Sequence, residues 1–195
     1  MIAIVDYGAG NISSVKKALE SLGAAARVTA DPEVIAAATK LVVPGVGHFS
    51  RCYCLNQRLR RPVLEAIAAG KPFLGICVGM QWLFQGSTES PATPGAGIFS
   101  GECSRFPAGV KSPHVGWNQI ELRAGSRLLR GVEDRTFVYY THSYRAPIVE
   151  QTAASTEYGG DFSAVIEQYN VFGVQFHPEK SGAAGLRILE NFCAL

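Results

Sequence analysis

The chain has 195 residues, enough for one domain with a full core and short for two. With 47% hydrophobic and 17% charged residues and a net charge of +2, it falls in the ordinary globular class and offers no electrostatic platform for nucleic acid. No apolar run approaches the roughly 18 residues of a membrane span, and Met1 to Asp6 lacks a basic leader, so the expectation is a cytoplasmic protein. The small cluster Arg58, Arg60, Arg61 reads as the solvated face of a helix. Five cysteines (Cys52, Cys54, Cys77, Cys103, Cys193) suit a reduced compartment better than a disulfide framework. Cys52-Tyr53-Cys54 has no companion cluster at metal-ligand spacing, so neither a metal site nor a cofactor is assigned.

In chain order, Ile2 to Val5 reads as a buried strand and Tyr7 to Asn11 as a tight loop. An amphipathic helix follows, with Ile12, Val15, Leu19 and Leu22 on one face and Gly23 as its stop. Gly8-x-Gly10 invites a dinucleotide reading, but Ser13 stands where the third glycine belongs. Ala24 to Thr29 predicts a second strand, Asp31 to Ala38 a short helix, and Lys40 to Val43 a third strand. That strand runs into the loop Pro44-Gly45-Val46-Gly47, whose glycines let N–H groups face a ligand. Gln57 to Ala69 predicts a helix with Leu59, Val63 and Ile67 inward, stopped by Gly70. Strand and helix alternate throughout this half, which argues for a doubly wound parallel sheet. Loops 7–11, 44–47 and residue 77 then fall at strand carboxyl ends, where such sheets bind ligands.

Phe73 to Ile76 leads into Gly75-Ile76-Cys77-Val78-Gly79-Met80-Gln81, with a helical pattern from Met80 to Phe84 beyond it. Glycines on both sides of a central nucleophile are what a strained strand-to-helix elbow needs. Cys77 reads either as a nucleophile at a helix start or as a small buried residue after a core strand. Gln85 to Gly97, rich in Gly, Ser, Pro and Thr, reads as a surface loop. Short β-type runs follow: Cys103 to Phe106, Asn118 to Leu122, Thr136 to Tyr140, Thr152 to Thr156, Ser163 to Gln168 and Val171 to Gln175. Turns are expected at Asp134-Arg135, Gly159-Gly160-Asp161 and Tyr169-Asn170, and Gly182 to Phe192 closes the chain as a helix. The fold class is therefore α/β, a single domain over residues 1–195, parallel in its first half and more antiparallel in its second.

Phe176-His177-Pro178-Glu179 lies at another strand end. In extended chain His177 and Glu179 share a side, and Pro178 fixes that relation. A cysteine, a histidine able to take its proton and a carboxylate to orient the histidine are the parts of nucleophilic acyl transfer. A lone histidine reads more readily as a satisfied core residue, and the elbow cysteine reverses that weighting.

The set Pro44 to Gly47, Gly75 to Gln81 and Phe176 to Glu179 resembles class I, triad-type glutamine amidotransferase domains, over almost the whole chain and in the right order. Asp6 to Asn11, Pro113-His114-Val115-Gly116-Trp117-Asn118 and His177 to Ser181 resemble, within that family, its histidine-pathway glutaminase subunits. The resemblance implies a flavodoxin-like sheet and glutamine as substrate. It implies catalytic roles for Cys77, His177 and Glu179, and an oxyanion hole from Val78 and the Gly45-Val46 segment. Gly47, Gln81, Ser143 and Tyr144 would hold the substrate. The partner would be a separate (β/α)₈ cyclase subunit forming a heterodimer, met near Asn11, Trp117, Tyr139 and Lys180, with Lys180 paired to an acidic residue across the contact. Taken alone, Trp117 reads as core. Ser112, Gly182 and the Ser-Thr-Pro content of 86–101 depart from the family pattern without touching the triad. The alternatives are a glutaminase serving anthranilate or aminodeoxychorismate synthase, and a non-catalytic α/β subunit.

Overall fold

A computed structural model describes residues 1–123 and 125–195. Its first half is a run of strands and helices in alternation: β1 (Ile2–Val5), α1 (Ile12–Ser21), β2 (Ala26–Thr29), α2 (Pro32–Ala37), β3 (Lys40–Gly45), α3 (Cys52–Arg58), α4 (Arg60–Ala68), β4 (Phe73–Cys77) and α5 (Val78–Gln81). The second half adds β5 (Gly86–Ser87), β6 (Glu102–Arg105), β7 (His114–Gln119), β8 (Glu121–Leu122), β9 (Phe137–His142), β10 (Tyr144–Arg145), β11 (Thr152–Glu157), β12 (Asp161–Gln168), β13 (Val171–Val174) and α6 (Gly182–Ala194).

The main sheet runs β2-β1-β3-β4-β13-β12-β11-β8. The five strands from β2 to β13 are parallel and the remaining pairings are antiparallel, so the α/β class and the change of character along the chain are both as expected. The central strands β1, β4 and β13 are wholly buried, and β3 is buried from Leu41 on, the apolar pattern of a sheet covered on both faces. The last strand of the chain returns to the middle of the sheet, beside β4, and this brings Cys77 and His177 onto adjacent carboxyl ends.

Several local expectations need correction. The helix expected over Gln57 to Ala69 is two, α3 and α4, broken at Leu59, whose ψ of -7° leaves the helical region while its side chain stays in the core. The helix beyond Cys77 is a single turn, Val78–Gln81, rather than a run to Phe84. β3 continues through Pro44 and Gly45, residues expected in the loop, because Gly45 pairs with Cys77. Gln85 to Gly97 is not simply a surface loop: Gly86, Ser87, Thr93 and Gly95 are buried, and Gly95 packs directly on the Phe84 carbonyl. Arg60 explains how that segment is held, since its guanidinium donates to the carbonyls of Gly95 and Ala96. Polar chemistry of the loop hid this, because the ties are to main-chain carbonyls that carry no sequence signal.

Candidate active site

Cys77 ends β4 and caps α5 with φ 54° and ψ -109°, a conformation forbidden to ordinary L-residues. Such strain persists only where surroundings over-determine it. Here they do: a Cβ on Gly75 would lie 2.5 Å from the Gly79 carbonyl, and one on Gly79 would lie 1.8 Å from the Val43 carbonyl. The elbow is thus clamped between its own next turn and the neighbouring strand. Its effect is to lift the sulfur to the edge of a cavity of about 260 Å³.

That cavity brings together Cys77, Val78, Gly47, Gln81, Ser143 and Tyr144, six of the residues singled out in the sequence. It also gathers Pro113, the start of the mid-chain motif, and Glu89, Thr141 and His142, which sequence reasoning missed. Glu89 was hidden in the supposed loop, where its carboxylate accepts from the Phe49 N–H at 2.7 Å. The size is just under the roughly 300 Å³ at which sites for drug-sized ligands begin, and suits an amino acid. A larger open groove of about 650 Å³, lined by Arg127, Glu167, Tyr169 and Asn170, lies by the amino end of β13 and holds no nucleophile.

His177 follows β13. Its Nδ1 lies 3.0 Å from Glu179 Oε1, and both side chains are buried. The route to this contact differs from the expected one. Pro178–Lys180 forms a 3-10 turn, so His177 and Glu179 meet by the chain curling back, not by alternation along an extended strand. Nε2 of His177 is sealed from solvent without a hydrogen bond of good geometry. Burial alone would lower the pKa of this imidazole, but the charge of the Cys77 sulfur and a hydrogen bond to it, followed by the contact with Glu179, outweigh burial and raise it to about 10.

Asn11 was placed at a partner surface from its motif. Within the chain its side chain has a further contact: Nδ2 donates to Glu179 Oε1 at 3.2 Å. Asn11 stands at the N-cap of α1 yet makes no side-chain cap, its side chain being turned to the Glu179 carboxylate. The β1 loop is thereby joined to the site. Trp117, in contrast, is 55% exposed, which overturns its core reading. It packs edge-on against Tyr139, its cross-strand partner, and Lys180 Nζ sits 5.8 Å over the Tyr139 ring. Val115 and Phe137 extend the same exposed face. Among the described residues Lys180 forms no ion pair within the chain.

Of the departures, Gly182 has a local account, since it adopts φ +59°, which a longer side chain resists, and nothing in the structure explains Ser112. All five cysteines are free, with Cys52 buried and Cys54 exposed. No helix among the described residues is long and apolar enough to cross a membrane.

An elbow cysteine, a buried His–Glu pair on the next parallel strand and a small cavity between them form the arrangement of nucleophilic acyl-transfer enzymes. The family described as glutamine amidotransferase class-I matches residues 3–195, and the chain belongs to it: it is an enzyme that takes the amide nitrogen of glutamine. It is 48% identical over 193 residues to the imidazole glycerol phosphate synthase subunit HisH of Methanothermobacter thermautotrophicus, covering 98% of this chain and 97% of that protein. The subunit of the same name from Thermococcus kodakarensis is 46% identical over 198 residues, covering 98% of each. Among solved structures, a crystal structure of a glutamine amidotransferase shares the fold with a TM-score of 0.77 at 19% identity, covering 100% of both chains. The PurLQS structure from Thermotoga maritima gives 0.74 at 18% identity, covering 98% of this chain and 96% of that one.

Proposed function

We propose that the chain is the glutaminase subunit of an imidazole glycerol phosphate synthase. Cys77 attacks the side-chain amide carbon of glutamine, and the N–H of Val78 together with the Gly45-Val46 segment receives the developing oxyanion. His177 delivers a proton to the departing ammonia, leaving a glutamyl thioester on Cys77. It then takes a proton from water, which attacks the thioester and releases glutamate. Glu179 keeps the imidazole oriented. Gln81 holds the substrate through its oxygen, because its amide hydrogens point to the Tyr144 carbonyl at 2.7 Å and to Gln175 Oε1 at 3.1 Å. That oxygen suits the α-ammonium of glutamine. Gly47, Ser143 and Tyr144 line the rest of the substrate cavity.

The ammonia passes to a (β/α)₈ cyclase subunit, which joins it to a phosphoribulosyl nucleotide to give imidazole glycerol phosphate and aminoimidazole carboxamide ribotide in histidine biosynthesis. Free ammonia is mostly protonated near neutral pH, so shielded delivery favours a docked partner. The exposed face of Val115, Trp117, Phe137, Tyr139 and Lys180 has the aromatic and cationic make-up of an interface and stands next to the triad.

The observation that carries this reading is Cys77 and the His177–Glu179 pair on adjacent parallel strand ends, in a chain so similar to subunits of that name. A glutaminase assay with and without the cyclase and its nucleotide tests it. Activity is expected to rise on adding both, and Cys77→Ala is expected to abolish glutamine hydrolysis while leaving ammonia-dependent synthesis intact. Recovery of a chorismate-using partner instead of a cyclase, or loss of both activities in Cys77→Ala, overturns it.

A further inference from the structure

Gln175 was not among the residues the motifs pointed to. It sits one position beyond β13, whose Val174 pairs with Ile76, so the register carries Gln175 level with Cys77. On its other side Cys77 is paired with Gly45. The nucleophile is therefore flanked by a glycine on one strand and a glutamine on the other. Gln175 is 0% exposed, and its Nε2 lies 3.7 Å from Cys77 Sγ. The four β13 residues before it are apolar, and the polar side chain appears only at the level of the sulfur. Burying a primary amide costs about 1–3 kcal/mol unless it is hydrogen-bonded, so a packing role alone is better served by leucine or methionine.

The orientation of this amide is fixed from a distance. The Tyr144 carbonyl can only accept, and it takes one hydrogen bond from His142 Nδ1 at 2.9 Å and one from Gln81 Nε2 at 2.7 Å. Gln81 must then present its NH₂ end, whose second hydrogen goes to Gln175 Oε1 at 3.1 Å. With Oε1 committed, Gln175 turns its NH₂ to the sulfur. The chain runs outward as well: with Nδ1 of His142 donating, its Nε2 accepts from His114 Nδ1 at 3.1 Å. A main-chain carbonyl thus sets the direction of every amide and ring leading to Cys77.

We infer that Gln175 is a catalytic residue whose side-chain N–H donates to the Cys77 sulfur and stabilises it as the attacking thiolate, its direction set through Gln81 by the Tyr144 carbonyl. The donor serves both halves of the reaction. It favours the anion before attack, and it favours sulfur as leaving group when the thioester is hydrolysed, as negative charge returns to it. A hydrogen bond to a charged acceptor exceeds a neutral one, and about tenfold in thiolate reactivity is the expected scale.

This inference rests on Cys77 being the nucleophile, so the test reads the sulfur without turnover. The second-order rate of Cys77 alkylation by iodoacetamide, followed by peptide mass spectrometry, is measured against pH in the full chain, Gln175→Leu and Gln175→Glu. The leucine variant is expected to react about tenfold more slowly at pH 7, with its profile moved to higher pH. The isosteric glutamate variant, which sets a carboxylate against the sulfur, is expected to fall further. Rates within twofold of the unaltered chain, in whichever variant folds, overturn the inference. If neither folds, the Gln175 side-chain ¹⁵N resonance of the unaltered chain decides: it is expected to move along the pH profile of Cys77 alkylation, and a static resonance overturns the inference. Retention of glutaminase in Cys77→Ala is a separate result and bears on the nucleophile itself.

Discussion

The backbone N–H of His177 donates to the carbonyl of Tyr139 at 2.9 Å. Ser181 closes the link, its hydroxyl accepting from the Tyr139 N–H at 3.0 Å and donating to the His177 carbonyl at 2.7 Å. The proposed base is therefore suspended from β9, whose outward side chains Phe137 and Tyr139 belong to the exposed aromatic face. A partner that covers this face presses on the strand that positions His177.

Trp117→Ala tests that connection. The ring is more than half exposed, so its loss is expected to change folding stability by no more than about 0.5 kcal/mol. As an interface aromatic it is expected to be worth about 2 kcal/mol of binding, a loss of roughly thirtyfold in affinity for the cyclase. Titrating glutaminase stimulation against partner concentration reads both effects. Unchanged stimulation at unchanged partner concentration would remove Trp117 from the interface.

Asn11 and His177 both bond to Oε1 of Glu179. Asn11→Ala removes one of the two hydrogen bonds to Oε1, leaving a buried carboxylate whose Oε2 already lacks a partner. A loss of about 1–2 kcal/mol is expected at the triad, read as a kcat some tenfold lower. Asn11→Asp is expected to be worse, because it sets a second carboxylate against the first. An aspartate variant as active as the unaltered chain would show that this contact does not matter.

Gly79 is a test of the elbow. A Cβ there meets the Val43 carbonyl at 1.8 Å, a backbone atom that cannot step aside, so Gly79→Ala is expected to cost more than about 4 kcal/mol and to prevent folding or break the elbow. Gly97 is the control. It has open space but φ +72°, and Gly97→Ala is expected to cost only about 1 kcal/mol. Thermal unfolding of the two variants side by side settles the comparison, and equal losses would mean that the backbone around Val43 gives way and that contact does not set the demand for glycine at Gly79.

What could be read from the chain alone follows from where each signal lies. Unbroken apolar runs such as Leu41 to Val43 announced buried parallel strands, and Gly75 and Gly79 around Cys77 announced the elbow, because both signals are local. His177 and Glu179 were found as a pair, although the 3-10 turn that joins them was not. Gln175 and His142 escaped notice because a glutamine or histidine in a β run means nothing until the register sets it beside a sulfur or a carbonyl. The contact of Asn11 with Glu179 was invisible, since it spans 168 positions of chain. The exposure of Trp117 was likewise invisible, as β7 and β9 form a separate two-stranded sheet that buries only one face.

Acid stability should be governed by the paired histidines behind the cavity. His114 lies between the rings of Tyr140 and Tyr158, and it and His142 are both buried; His142 Nε2 must be unprotonated to accept from His114 Nδ1, and His114 Nε2 to accept from the Asn118 amide. Burial lowers the pKa of His114 to about 4 and that of His142 to about 3. In the unfolded chain both titrate near 6.5, so between that pH and about 4 the unfolded state binds more protons and native stability falls as pH falls. The expected loss over this window is about 6 kcal/mol for the two histidines together, roughly 1.4 kcal/mol per pH unit for each once well below 6.5. His177 acts in the opposite sense: its raised pKa stabilises the fold at neutral pH, and that contribution is lost as pH rises through about 10. Urea unfolding from pH 4 to 10 measures both limbs. His142→Gln is expected to flatten the acid limb and Cys77→Ala to weaken the alkaline one, because the sulfur is the larger of the influences that raise the His177 pKa and Glu179 alone then opposes burial. An acid limb that keeps its slope in His142→Gln would assign the lost stability to other groups.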